Sequence, residues 1–196
     1  VFDSLSNATA YTVTINAGAV CKNINVAGPL SGNVTVAGSG TLYVYGDFTL
    51  PATGLTRTYT GPITFASNGS QTITTNGQSL ASGLTFGTTF ASGLSGSWTL
   101  GGALTTSGAV TLTNGSLITA NYAVSCSGIS ASSTSTGFTL SLGSSSVIIT
   151  SSGFAVSYPA FTLNAGTSSI TDSSTTGQIS VTGVSGLTFY DYSFTS

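Results

Sequence analysis

The sequence predicts an all-β protein: a single-stranded parallel β-helix, or β-solenoid, of roughly eight to ten rungs, with a β-sandwich as the alternative. Three observations carry this prediction. Thr, Val, Ile, Tyr and Phe dominate the ordered stretches, and no window sustains the 3.6-residue period of a helix. Apolar and polar residues alternate in short runs that end at Gly, Asn-Gly or Ser clusters. Finally, strand-corner-strand units repeat imperfectly along the chain, which is how a coil of stacked units looks in sequence.

The runs follow in order. Tyr11–Ile15 alternates first, then Asn33–Val36, Gly40–Tyr45, Gln71–Thr74 and Val110–Thr113, and later Phe138–Leu142, Phe161–Leu163 and Ile179–Val181. The inward set they predict is Val13, Ile15, Leu42, Val44, Phe48, Ile73, Leu84, Phe86, Trp98, Leu100, Leu104, Val110 and Leu112. It continues through Leu140, Leu142, Ile148, Phe161, Leu163, Ile170, Val181, Leu187 and Phe189. Between these positions Thr and Ser face outward.

Asn68-Gly69, Asn76-Gly77 and Asn114-Gly115 suit tight primed turns. Single glycines such as Gly46, Gly87 and Gly102 suit the corners of a coil, where the chain bends without reversing. Two internal echoes support that coil. Residues 40–49 overlay 96–105 without a gap, placing Leu42 on Trp98, Val44 on Leu100, Gly46 on Gly102 and Phe48 on Leu104; Ser82–Phe86 echoes Ser185–Phe189. A unit of this kind, about 18–25 residues long, cannot bury its inner face alone and stacks on its neighbours.

Composition narrows the chemistry. Of 196 residues, 34 are Ser, 35 Thr and 26 Gly, and charged residues make up 3% with a net charge of −2. Ordinary soluble domains carry about 25% charged residues. A hydrophobic fraction of 40% with so little net charge argues against disorder. With no His and no Glu there is no imidazole base and no Glu acid/base pair. Lys22 and Arg57 are too few to neutralise a phosphate track, which excludes nucleic acid and makes an anionic membrane a poor partner. No segment reaches the roughly 18 apolar residues of a membrane-spanning helix. The absence of Met favours a chain that is a piece of a longer protein. Cys21 and Cys126 form no metal or redox motif; they read as two small buried or half-buried thiols, with a disulfide as the alternative.

From about Thr64 to Phe194 a succession of landmarks adds to these readings. Ser67–Gly77 leads into Ser82–Phe86, then Gly96–Gly108, Leu112–Leu117, Ala120–Val124, Leu142–Ile149 and Leu163–Ile170. This succession resembles the low-charge β-solenoid repeats of tail-fibre and other virion surface proteins of tailed bacteriophages, and is similar to repeats in bacterial surface adhesins. The first solenoid rungs, residues 1–60, match it less well than the repeat-bearing rungs of residues 61–196. The resemblance implies a structural or host-contacting role at a virion surface or another extracellular place, and it carries no catalytic residues.

The carboxylates are Asp3, Asp47, Asp172 and Asp191. They read as solvated turn residues; the separation of Asp172 and Asp191, close to one rung, would let them stack about 5 Å apart as an acid pair or a calcium site. No metal ligand set, cofactor or catalytic group is assigned. The sequons at Asn7, Asn33, Asn68 and Asn114 occur about as often as so much Ser and Thr gives by chance. Aromatic clustering is the stronger interaction signal. Leu42 and Val44 leave Tyr43 and Tyr45 on the opposite face, and Tyr190, Tyr192 and Phe194 share the face opposite Phe189. Two-sided apolar strands are usually covered by a further segment or subunit, and exposed tyrosines also stack on sugar rings. Thr12/Thr14, Thr72/Thr74 and Thr111/Thr113 invite an ice-binding reading, but their unequal intervals do not build one ranked face.

The function expected is therefore a non-enzymatic structural protein. It is a β-solenoid segment of a phage tail fibre or virion surface fibre, a stiff spacer that also contacts the host surface. Its expected partners are other copies or further segments of the same fibre and host surface polysaccharide. A carbohydrate-binding adhesin module or an extracellular filament subunit is the alternative, and an ice-binding protein a distant one.

Overall fold

A computed structural model describes residues 10–26, 34–87, 95–131, 137–157, 159–175 and 178–195. Among these residues there is no α-helix; every strand pair with an assigned register is parallel. Parallel pairing throughout excludes the antiparallel sheets of a sandwich and gives a β-solenoid.

The coil has three sides. Its first turn is β1 (Tyr11–Ile15), β2 (Ala19–Cys21) and β3 (Ile24–Asn25). The second is β4 (Val34–Gly38), β5 (Leu42–Val44) and β6 (Phe48–Thr49), and the third β7 (Leu55–Tyr59), β8 (Ile63–Phe65) and β9 (Ser70–Thr74). In the fourth turn Leu80 holds the first side by a single bridge to Thr106, followed by β10 (Leu84–Phe86) and β11 (Ser97–Leu100). The fifth comprises β12 (Leu104–Thr105), β13 (Val110–Leu112) and β14 (Gly115–Ile118). In the sixth and seventh turns the long strands β15 (Val124–Ala131) and β17 (Ser146–Val156) bend across two sides before β16 (Phe138–Ser141) and β18 (Phe161–Asn164). β19 (Ser169–Asp172), β20 (Ile179–Val181) and β21 (Asp191–Phe194) end the stack.

The third side, from β3 to β18, is a seven-stranded sheet, so the coil makes about seven turns rather than eight to ten. The turns vary in length. Leu84 pairs with Val110, 26 positions on, although Val110 pairs with Ile129, only 19 positions on. The strands stay in register despite this difference in length. The first side is split: β1-β4-β7 form a separate three-stranded sheet, and from β12 onward the same side joins the large sheet through the bent strands.

Alternation places one file of side chains inside. Val44, Phe65, Phe86 and Trp98 are fully buried, and an aromatic column runs along the axis. Its ring centroids are 5.6 Å apart for Phe48–Phe65, 5.0 Å for Phe65–Phe86 and 5.7 Å for Phe86–Trp98. Each such pair contributes about 0.5–1.5 kcal/mol beyond its buried area. Most of the predicted inward set is buried. Val13, Ile15, Leu163, Leu187 and Phe189 are not fully buried; of these, Ile15, Leu163, Leu187 and Phe189 pack against the core.

Two inward assignments are corrected. Ile148 is 43% exposed and faces outward, because Val147 and Ile149 on either side take the core positions. Three consecutive β-branched residues offer no polar marker to set the phase. Val181 is 37% exposed although it lies in register on buried Val156, because among the described residues nothing is stacked beyond it.

The longer internal echo joins strands displaced by one side of the coil: Leu42–Val44 lies on the second side and its counterpart Trp98–Leu100 on the third. In the shorter echo Leu84–Phe86 forms β10, whereas Leu187–Phe189 lies in no strand.

At the corners, backbone groups that leave the sheets are satisfied by side chains from the neighbouring turn. Asn23 Oδ1 accepts the corner Asp47 N–H at 3.0 Å, and Asp47 Oδ1 in turn accepts the N–H of Thr72 in β9, ahead of the point where β6 begins to pair with that strand, at 2.8 Å. Deeper in, buried Thr119 lies 2.8 Å from the Leu142 carbonyl and 2.7 Å from Ser145 Oγ; it donates to the carbonyl, leaving the Ser145 hydroxyl to donate to it. Asn76-Gly77 does make a primed turn, with φ of 49° and 80° and the Gln78 N–H donating to the Thr75 carbonyl at 2.9 Å. It turns a corner rather than a hairpin. Neither Asn68 nor Gly69 has a positive φ, and at Asn114-Gly115 only the glycine does.

Candidate functional site

The two aromatic groups singled out in the sequence lie at different levels of the stack. Seven strand steps separate β5 from β21, roughly 34 Å at ~4.8 Å per step, so they form no common site.

Near the first group, Leu42 and Val44 point into the core, so Tyr43 points outward and Tyr45 follows at the corner, part exposed. Tyr43 stands in register between Val20, which is 70% exposed, and Thr64. This outward file continues in register as Thr85, Thr111 and Ser130, a row of hydroxyls one strand spacing apart.

The second group differs from the expectation that Tyr190, Tyr192 and Phe194 share one outer face. Tyr190 is 67% exposed. Tyr192, however, is in register with buried Ile170 and packs against the core. Its ring lies 5.2 Å from Phe189, which in turn lies 5.3 Å from the core ring of Phe154. Phe194 follows the same inward phase, 5.2 Å from Tyr192, and is exposed because it sits at the edge of the stack. The Tyr192 and Phe194 rings therefore continue the core instead of facing away from it.

The carboxylates are not brought together. One strand step here is 22 residues, so Asp191 pairs with Ser169 and Asp172 with Phe194. Asp172 is in the inward phase and buried, whereas Asp191 is exposed. Asp172 Oδ1 accepts from the Ser174 N–H at 3.0 Å and the Ser174 hydroxyl at 2.6 Å, and Oδ2 accepts from the Tyr192 hydroxyl at 3.1 Å. Burial above all, then the charge and hydrogen bond of Asp172, push the Tyr192 hydroxyl pKa well up. Asp47 serves the corner described above; Asp3 lies outside the described residues, as do the sequons at Asn7 and Asn33. Among the described residues no three Cys or Asp side chains converge as a metal ligand set.

The thiols are free and not joined to each other. Cys21 is half-buried and directs its thiol at the Tyr43 carbonyl, 3.6 Å away, while Cys126 is fully buried. The Thr-x-Thr pairs fall on three different sides: Thr12/Thr14 on β1, Thr72/Thr74 on β9 and Thr111/Thr113 at β13. Besides the second-side file of Thr64, Thr85, Thr111 and Ser130, ranked hydroxyls stand on the third side. There Ser70, Ser97, Ser116, Thr139 and Thr162 stand in register beside the pair Thr72 and Thr99.

The inward placement of two charged residues was not read from the sequence, which took Asp172 for a solvated turn residue. Among the described residues Arg57 and Asp172 are the charged groups in the inward phase, and alternation marks both. Arg57 shares its parity with Leu55 and Tyr59, and Asp172 shares its parity with Ile170. Comparison with protein-family models, with curated proteins and with solved structures finds no match to this chain.

Proposed function

We propose that the chain is a non-enzymatic structural protein, a β-solenoid segment of a phage tail fibre or comparable virion surface fibre that serves as a stiff spacer. The observation that carries this reading is the C-terminal edge of the stack. Inward files that are fully buried one step below become exposed there: Phe154 is followed by Ile179, Val156 by Val181, and Asp172 by Phe194. Backbone groups of an uncovered strand edge and a cross-section of apolar side chains form a template for more of the same fold. Further rungs of the fibre, or a second copy, are the partners this edge suits. The low charge and the sequence resemblance support placing the fibre outside the cell.

Electron micrographs of the intact assembly test the reading. Rods of solenoid cross-section are expected, together with association of the isolated 196-residue chain. An isolated chain that stays monomeric at high concentration, within a compact assembly, overturns it.

A second reading, a carbohydrate-binding adhesin module, is favoured by the outward file of Val20, Tyr43 and Thr64 and by the hydroxyl rows of the third side. Tyrosine rings stack on sugar faces, and regular hydroxyls bridge to polysaccharide. The same rows are what an ice-binding surface would use. A glycan array and an ice-recrystallisation assay separate these readings from a spacer.

A further inference from the structure

Among the described residues, the core is unfilled at the N-terminal end of the stack. A cavity of about 270 Å³ lies within the first turns, walled by Val36, Leu42, Phe48, Leu55, Ile63 and Leu80. Arg57 also lines it. Arg57 lies in register on Val36, which lies in register on Val13, and it alternates with the outward Thr56 and Thr58. Its side chain is thus directed to the inside of the coil, where Nε is buried without a hydrogen-bond partner.

No carboxylate among the described residues answers this charge. Asp47 is bound to the Thr72 N–H of β9, and Asp172 and Asp191 lie at the opposite end of the stack. The nearby Tyr59 hydroxyl is engaged with the Gly40 and Pro62 carbonyls, at 2.6 and 3.1 Å. Burial accordingly pushes the Arg57 pKa below its ordinary value. A half-buried guanidinium lining an apolar cavity suits an anion that carries its own apolar body, and its planar fork matches a carboxylate with two parallel hydrogen bonds.

We propose that this cavity binds a small amphipathic monocarboxylate, with its carboxylate on the Arg57 guanidinium and its alkyl chain in the apolar lumen. The volume lies just below the ~300–1,000 Å³ usual for ligand pockets, which favours a short chain over a long one.

Calorimetric titration of the full chain tests this, with octanoate as probe and with octanol and acetate as its apolar and charged halves. The expected result is saturable binding of one octanoate per chain, with octanol and acetate at least tenfold weaker. Arg57→Leu and Arg57→Gln, checked for folding by circular dichroism, are expected to lose at least tenfold in octanoate affinity, and Arg57→Lys to keep part of it. Octanoate should also raise the melting temperature of the native chain but not of Arg57→Leu. Equal binding of octanoate and octanol, unchanged affinity in both neutral variants, or no binding to the native chain overturns the proposal. Binding that appears only in Asp3→Asn also overturns it, because Arg57 would then serve the chain's own N-terminal carboxylate.

Discussion

Tyr192 donates its hydroxyl to Asp172 Oδ2 at 3.1 Å, tying a buried carboxylate to the last strand of the stack. The contact spans one strand step, from β19 to β21, and it lies beside the aromatic chain of Phe154, Phe189 and Tyr192. Asp172→Ala leaves the Ser174 and Tyr192 donors without their charged acceptor and is expected to cost about 1.5–3 kcal/mol. Tyr192→Phe removes one donor and keeps the ring, and should cost about 1 kcal/mol. Urea denaturation measures both. The double variant should lose less than the two single losses combined, since the partners share one interaction.

Glycine corners offer a paired test. Gly87 has a φ of +85°, and a Cβ there would meet Asn114, whose side-chain oxygen and backbone close off the space. Gly102 has open space around its Cβ position. Gly87→Ala is therefore expected to destabilise by more than ~1 kcal/mol, while Gly102→Ala stays within about 0.5 kcal/mol of the native chain. Melting temperatures of the two variants side by side decide this.

Alkaline pH should weaken the fold in a defined window. Burial pushes the Cys126 thiol from 9.0 up to about 12, and the Tyr59 hydroxyl from 10.0 up to about 12. Both folded values lie above the unfolded ones, so the stability these groups contribute is complete below the unfolded pKa and is lost as pH rises through the folded value. The melting temperature should hold to about pH 9 and fall from there to about pH 12. Cys126→Ala should flatten the earlier part of the fall, and Tyr59→Phe the later part.

The thiols should also differ in reactivity. Both have pKa values raised by burial, so neither is a thiolate at neutral pH. Cys21 remains partly accessible, whereas Cys126 does not. A thiol reagent should modify Cys21 slowly in the native protein and reach Cys126 only on unfolding, read by mass spectrometry of the peptides.

Trp98 anchors the aromatic column and is the chain's single tryptophan. Trp98→Leu leaves a void against Phe86 and should cost about 3 kcal/mol or somewhat more. In the native chain, indole emission should be blue-shifted and move to the red across the urea transition, reporting the same event.

Alternation made the coil legible because one file of each strand must be apolar wherever three sides enclose a core. Leu42, Val44, Leu84 and Phe86 follow that rule and are buried. The rule fails where the polar half of the pattern is missing, as at Val147-Ile148-Ile149, and where a correctly phased residue such as Val181 has nothing stacked on it. The number of turns was less legible, because corner lengths vary independently of the strands. Arg57 and Asp172 followed the alternation and yet were not read as inward. A charged residue reads as surface by type even when its neighbours at i−2 and i+2 place it inside. The tight corner at Ala120-Asn121, with φ of 51° and 67°, had no glycine to announce it.

The tolerance of the coil for unequal turns has a consequence for change. A 26-residue step and a 19-residue step share the same strand, β13, without disturbing registry on either side of it. New chain added at an edge of this prism need not be threaded through its interior. Insertions at those edges can change the surface of the coil, while duplication of turns lengthens the stack. Surface and length are thus separately adjustable in one architecture.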